Sequence, residues 1–482
     1  VSLFVVACGN SSKDSAKTGG TGGMNGGGAG DTSATGGTSG ATGGGGSTAA
    51  GSGGTGGSSG TGGTSHGGSG GSAGLAGSAA AGGRAGAAGA SGAAGGGVCD
   101  HTLDNQACWS SVDVYSLTRN EPGFYGAIFD GQHIVFPNGT TGYYDYHLQL
   151  DTHGDFMHAW KSFNTNPGIG NGYRGGTFDG RYVYLTPTQP ENNGAAGLTY
   201  DCVAARYDTQ ADFASSGAWS SFNLTQKSGT PDLTVPGYRG AAFDGRYVYF
   251  APGFNGDGPS GNATRYDTMA PFDDKASWTD YDLTDVDANA VSFDGAVLAG
   301  KYLYFVPESM DSLAARYDTT APFDDKTSWT TFDTTTLDPN AWLFNGGVFD
   351  GRYVYFVPNN QNTDQGLITR YDTQASFEDA SSWATYNPIG TGFTDSDSFG
   401  GGAYDGRYVY FVPTASQYLV RYDTKLPFDS PDAWTKHRMA SETTGAAFDG
   451  RYLYVVPQGF GSIQRFEARA ENDPGPTQAS FY

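Results

Sequence analysis

Phe349-Asp350-Gly351-Arg352-Tyr353-Val354-Tyr355-Phe356-Val357-Pro358 is the clearest of seven copies of one phrase that recurs between residues 128 and 457 of this 482-residue chain. A stretch of variable length follows each copy. Then come Arg370-Tyr371-Asp372-Thr373 and, further on, Trp383, which opens a short polar run. The turn glycines Gly131, Gly180, Gly245, Gly300, Gly351, Gly406 and Gly450 lie 49, 65, 55, 51, 55 and 44 residues apart. A repeat of this length, rich in alternating aromatic and β-branched residues, is the pattern of a blade array. Whatever recurs in every copy reads as scaffold, and whatever differs reads as function.

Each copy predicts four antiparallel strands, a to d. Strand a is glycine-rich and ends before Asp-Gly, a pair that makes a tight hairpin because glycine tolerates positive φ. Strand b, Tyr-Val-Tyr-Phe-Val, is almost wholly apolar, as a strand buried on both faces should be. Proline ends it, having no N–H to give to the ladder. Strand c holds Arg-Tyr-Asp, and strand d begins at the Trp. The Trp landmark recurs at Trp160, Trp219, Trp278, Trp329, Trp383 and Trp434, and none follows the last strand c at Glu467. The missing one is Trp109, at the other end of the repeats. Residues 109–114 are therefore expected to pair with 463–467 and latch the ring, since an unclosed ring leaves strand edges exposed.

This pattern resembles β-propeller proteins of the WD40 and kelch kind over roughly residues 100–470. The resemblance implies an all-β fold: a seven-bladed β-propeller of four-stranded antiparallel blades. Neither the Gly-His…Trp-Asp pair of the one nor the Gly-Gly and Trp spacing of the other is present, so no ligand is implied.

Four segments follow: 1–8, 9–98, 99–470 for the propeller, and 471–482 as a tail. Residues 9–98 are almost entirely Gly, Ser, Thr and Ala without an aromatic residue. Such a chain cannot bury enough apolar surface to offset its ordering entropy. It is expected to be a disordered linker about 50 Å from end to end. Ahead of it, Val5-Val6-Ala7-Cys8-Gly9 resembles a bacterial lipobox, the end of a truncated signal peptide, which implies lipidation of Cys8 and an exported protein at the cell envelope. Export permits disulfides. Cys99 and Cys108 flank the entry to the latching strand and are expected to bridge, with Cys202 left unpaired.

The formal charge is −23 overall and −24 without residues 1–98. That argues against nucleic acid and against an anionic membrane surface as partners of the folded domain, leaving the lipid as the membrane contact. A monomer is expected.

The a–b turn and the c–d loop are uniform among the copies and lie on one face of the disc. The b–c loops and d–a connections vary and lie on the other, which makes that face the candidate binding face. Strand a enters from it. Its mouth positions are Tyr125, Arg174, Arg239, Asp294, Asn345, Gly400 and Thr444, and one place earlier stand Tyr173 and Tyr238. Arg174 and Arg239, the two basic residues of this ring, could hold an acidic ligand in bidentate fashion, or else bridge blades through acidic partners. Trp342, Phe254, Phe393 and Phe460 lie in the same loops and could stack on sugars. The leading expectation is a non-catalytic binding module recognising a glycan or a protein. The alternatives are a carbohydrate-active enzyme with Asp294 as its carboxylate, and a purely structural surface protein. His133, His153 and His158 match no metal motif, and no metal is assigned to them. Asp285-Val286-Asp287-Ala288-Asn289 has only part of a calcium loop, which leaves calcium open. No nucleophile elbow, zinc-protease or phosphate-loop motif is found.

Overall fold

The computed structural model describes residues 97–471, apart from 120–122, 140–145, 166–168, 170–171, 189–201, 227–236, 256–257, 310–312, 360–365, 389–397, 415–416 and 460. Cys8, the linker 9–96 and the tail 472–482 lie outside the described residues. All described residues belong to one compact unit. It holds seven four-stranded antiparallel sheets and one two-stranded ribbon, Phe254–Asn255 with Gly258–Pro259. In blade 5 the order is Phe344–Phe349, Tyr353–Pro358, Ile368–Asp372 and Trp383–Tyr386, the a–b–c–d sequence expected. The inner strands pack blade against blade all the way round, with Thr443–Phe448 of blade 7 meeting both blade 6 and Ile128–Phe129 of blade 1.

The latch forms between the two segments expected. Trp109–Asp113 is the outer strand of blade 7, pairing from Trp109↔Phe466 to Asp113↔Ser462. The substitution reaches further than one strand. In five blades the Trp indole N–H donates to the carbonyl of an anchor Phe six residues earlier, as Trp383 does to Phe377 at 2.9 Å. Trp109 donates to Leu103 at 2.8 Å, so Leu103 plays the anchor's part. A short 3-10 turn precedes Trp109 as it precedes the other five, with Asn105 in place of the usual Asp cap. His101 Nδ1 lies 3.1 Å from the Glu467 carbonyl. Residues 99–113 thus supply the whole c–d loop and outer strand of blade 7. Cys99 and Cys108 are bonded within this loop, and Cys202 is free and buried.

Two repeated devices staple the uniform face. The turn Asp is the first: Asp350 Oδ1 accepts from the backbone of Arg352 and Tyr353 at 2.8 and 2.6 Å, and Oδ2 accepts from the Tyr355 hydroxyl at 2.7 Å. The second is the turn Arg, which pairs with the Asp ending strand c, as in Arg181–Asp208, Arg246–Asp267, Arg352–Asp372 and Arg407–Asp423. In blade 7 Glu467 takes the Asp's place with Arg451 at 2.9 Å.

The strand-c arginine rivets one blade to the next. Arg370 lies over its own blade's Tyr353 at 4.1 Å and over Phe428 of blade 6 at 4.2 Å. Such cation–π contacts strengthen where water is excluded. Arg421, whose next blade has no anchor Phe, donates instead to the His101 carbonyl at 3.1 Å.

Candidate functional site

Seven inner strands converge on the axis, and glycine is required there. Gly295 has φ +105°, and a Cβ on it would stand 2.7 Å from Gly346 Cα of the next blade. The same approach recurs from Gly240 to Gly295 and from Gly445 to Gly126. The backbones therefore form the channel wall, and each inner strand displays one side chain at the variable-face end. Tyr125, Arg174, Asp294, Asn345, Gly400 and Thr444 line this opening together. The free space among them is about 50 Å³, enough for a few waters.

The charged members are joined to one another. Arg174 Nη2 donates to Asp294 Oδ2 at 2.5 Å and to Asn345 Oδ1 at 2.8 Å. It starts on blade 2 and so reaches across the mouth to blades 4 and 5, rather than to its neighbour. Arg239 Nη1 is 3.8 Å from Asp294 Oδ2 and pairs with Glu308. Glu308 also accepts from the Ser292 hydroxyl at 3.3 Å. Two arginines and two carboxylates balance within a strongly acidic domain. The Arg174 guanidinium lies 5.4 Å from the Tyr125 ring and that of Arg239 lies 5.2 Å from the Phe254 ring. Thr444 Oγ1 donates to the Phe124 carbonyl at 2.7 Å, tying blade 7 to blade 1. Asp294, the carboxylate that an enzyme reading would use, is 8 % exposed and held between the two arginines.

Tyr173 and Tyr238 require a correction. Both were expected at the channel mouth, and both are fully buried between blades. The Tyr173 hydroxyl donates to the Ile169 carbonyl at 3.1 Å, and that of Tyr238 lies 2.6 Å from Thr264 Oγ1. Burial pushes the Tyr238 phenol well above its ordinary pKa. Successive residues of a strand point to opposite sides, so the neighbours of Arg174 and Arg239 face the core. Glu308 was missed. It follows the closing Pro307, where the other copies carry Asn138, Thr188, Gly253, Asn359, Thr414 and Gln458. Glu308 is the acidic exception at that position among the seven copies. Trp342 is half-buried, while Phe393 and Phe460 lie outside the described residues.

The histidines of the first repeat do not meet. His133, His153 and His158 each sit beside a nearby carboxylate, Asp130, Asp151 and Asp155 respectively. Among the described residues no group of three or more His, Cys, Asp or Glu is placed to hold a metal ion. In the calcium-like stretch, Asp287 Oδ1 caps a turn by accepting from Asn289 N at 2.9 Å. No helix among the described residues is long and apolar enough to cross a membrane.

No protein-family model matches this chain, and no curated protein matches it. Solved structures do. The crystal structure of BamB from Moraxella catarrhalis is 12% identical, with 72% of this chain and 85% of that chain covered and a TM-score of 0.38. The Neurospora crassa Pan2 WD40 domain is 9% identical, with 77% and 98% covered and a TM-score of 0.46. No ligand or partner carries over at these identities. The chain is an all-β seven-bladed propeller whose blade-specific side chains gather at one end of its axis.

Proposed function

We propose that this protein is a non-catalytic interaction module, held at the cell envelope by lipid on Cys8 and binding a partner protein across the variable face around the channel mouth. The observation that carries this reading is the contrast between the two faces. One is stapled by the same Arg–Asp pair and the same Trp–Phe anchor in most blades. The other collects Tyr125, Arg174, Arg239, Asp294, Asn345 and Thr444, a different side chain from almost every blade. Recognition takes place over the rim, where the Phe254 ring lies against Arg239 of the charged cluster. The ion pairs hold that rim in one shape, which lowers the ordering cost of binding.

The test uses a photo-crosslinking residue at Trp342, with Leu426 of the uniform face as the paired control, in cells expressing the full-length precursor. Specific adducts from position 342 alone are expected. Equal adducts from both positions overturn the assignment of faces. A glycan array that lights up and fades on Phe254→Ala identifies a glycan instead of a protein. For the anchor, Cys8→Ser should move the protein to the soluble fraction, and retention in the membrane fraction would place the anchor elsewhere.

A further inference from the structure

The hydrogen bonds across the channel mouth leave one set of polar atoms unused. Asp294 is more than nine-tenths buried, and both arginines approach it through Oδ2. Its Oδ1 has no partner among the described residues. Asn345 stands one blade further on. Its Oδ1 accepts from Arg174 Nη2, and its Nδ2 has no acceptor among the described residues. Neither Asp294 Oδ1 nor Asn345 Nδ2 is among the polar atoms sealed in the interior without a partner, so both are in reach of solvent at the opening that their residues line. A largely buried carboxylate oxygen beside an unused amide N–H fits a ligand that donates to the first and accepts from the second.

Charge narrows the choice. Arg174 and Arg239 offset Asp294 and Glu308, so the mouth is neutral within itself. A carboxylate or an ammonium entering it would give up hydration without meeting a net opposite charge. A neutral group gives up less. The space among these residues admits a few waters, and a group that repeats their hydrogen bonds can displace them. Among protein side chains, Asn and Gln alone are neutral and carry N–H donors and a carbonyl acceptor in one planar group. A Ser or Thr hydroxyl has one hydrogen and a shorter stem. Gln has one methylene more than Asn with which to reach in from the rim.

We propose that the channel mouth takes a primary carboxamide, the side chain of a glutamine presented by the partner protein. This rests on the reading of the variable face as a protein-binding surface and adds what that face selects. The carboxamide N–H donates to Asp294 Oδ1, and its oxygen accepts from Asn345 Nδ2. Arg174, bonded to the other oxygen of Asp294 and to the oxygen of Asn345, holds the two groups in place.

The experiment titrates the full chain, by ligand-observed NMR, with acetyl-Gly-Gly-Gln-Gly-Gly-N-methylamide, whose methyl cap removes the peptide's own primary amide. Peptides with Met, Glu or Lys at the centre are compared. The Gln peptide should bind about fivefold tighter than each of the other three. Asn345→Asp keeps an oxygen for Arg174 and replaces the donor by an acceptor. It should weaken the Gln peptide by about tenfold and turn the preference to Lys, with thermal melting confirming the fold. Asp294→Asn should turn the preference to Glu instead. Gln458→Glu, which adds the same charge as Asn345→Asp at an exposed position of the same face, should leave the Gln peptide's affinity within about twofold. Equal binding of the Gln and Met peptides overturns the proposal. So does a preference for Gln that survives in both Asn345→Asp and Asp294→Asn. A methyl glycoside that displaces the Gln peptide and binds more tightly would also overturn it, by making the mouth a hydroxyl site. Crosslinking from position 342 and not from 426 would in those cases leave the variable face standing as the protein-binding surface, whereas equal crosslinking from both removes that reading whatever the peptides do.

Discussion

Blade 4 breaks the turn rule, and the break is measurable. Where the other six copies have Asp, it has Ala299, buried at 4 % exposure. In five blades the turn Asp accepts the hydroxyl of a strand-b Tyr at 2.7 or 2.8 Å. In blade 4 the matching hydroxyl, Tyr304, is buried and unpaired. Ala299→Asp should restore three acceptances at once, from Lys301 N, Tyr302 N and the Tyr304 hydroxyl. Satisfying an orphaned buried hydroxyl is worth about 1–3 kcal/mol. Against it stands the cost of burying a carboxylate, visible in Asp405, whose pKa burial raises. The net expectation is a gain of about 1–2 kcal/mol, or roughly 1–3 °C in melting temperature for a domain of this size. A double-mutant cycle by denaturant titration isolates the contact. Tyr304→Phe should be neutral or slightly stabilising in the parent but should cost about 1 kcal/mol or more in the Ala299→Asp background. Tyr355→Phe, which strips Asp350 Oδ2 of the hydroxyl it accepts from, should cost about 1–2 kcal/mol in the parent. Zero coupling between positions 299 and 304 would refute the reasoning.

His147 gives a pH signature. It is fully buried, Nδ1 accepting from Asn138 N at 3.1 Å and Nε2 lying 3.1 Å from Thr165 Oγ1, and burial lowers its pKa to about 3. Its folded pKa lies below the unfolded value, so below about pH 6.5 only the unfolded chain takes the proton, and stability should fall by up to about 1.4 kcal/mol per pH unit. His147→Gln should flatten that slope in urea titrations between about pH 6.5 and 4.5, and an unaltered slope would assign it elsewhere. A second loss should begin below about pH 4, because Asp208, Asp267 and Asp372 are held below the ordinary carboxylate range by Arg181, Arg246 and Arg352, and their stabilisation vanishes as they protonate. Gly295→Ala should cost about 3 kcal/mol or more, since positive φ and the close Gly346 backbone both oppose a Cβ, whereas Gly351→Ala, with positive φ but open space, should cost about 1–2 kcal/mol; equal costs in thermal melts would remove the axial-packing argument. Arg174→Ala should lower stability by about 1–3 kcal/mol by leaving Asp294 under-paired, and Asp294→Asn in that background should recover part of it. No recovery would mean that the cross-mouth bond is not what the arginine supplies.

The sequence made the scaffold readable for a physical reason. Seven copies average out local ambiguity, and the displaced Trp109 could close the ring at only one place. The anchor role of Leu103 was equally present, six residues before Trp109, but a Leu in a Phe position hid it. The mouth was legible as a set of positions and not as a set of contacts. Arg174 and Asp294 are 120 residues apart in the chain, and only the ring's diameter brings them to 2.5 Å. Tyr173 and Tyr238 were misplaced because two consecutive residues of one strand cannot both face the channel. The orphaned hydroxyl of Tyr304 depends on what is missing around it, which the repeats show through Ala299.

Everything assigned to the mouth depends on the ring being closed by residues 99–113, because an open ring has no common opening. Ser111 and Gln464 are directly opposed in the latch. Opposed antiparallel residues lie about 4.5–5.5 Å apart between Cα atoms, within reach of a disulfide. Ser111→Cys with Gln464→Cys, oxidised and digested, should give a peptide joining positions 111 and 464 of one chain, with a higher melting temperature that falls back on reduction. Absence of that peptide, or a link formed between two chains, would contradict the closed seven-bladed ring.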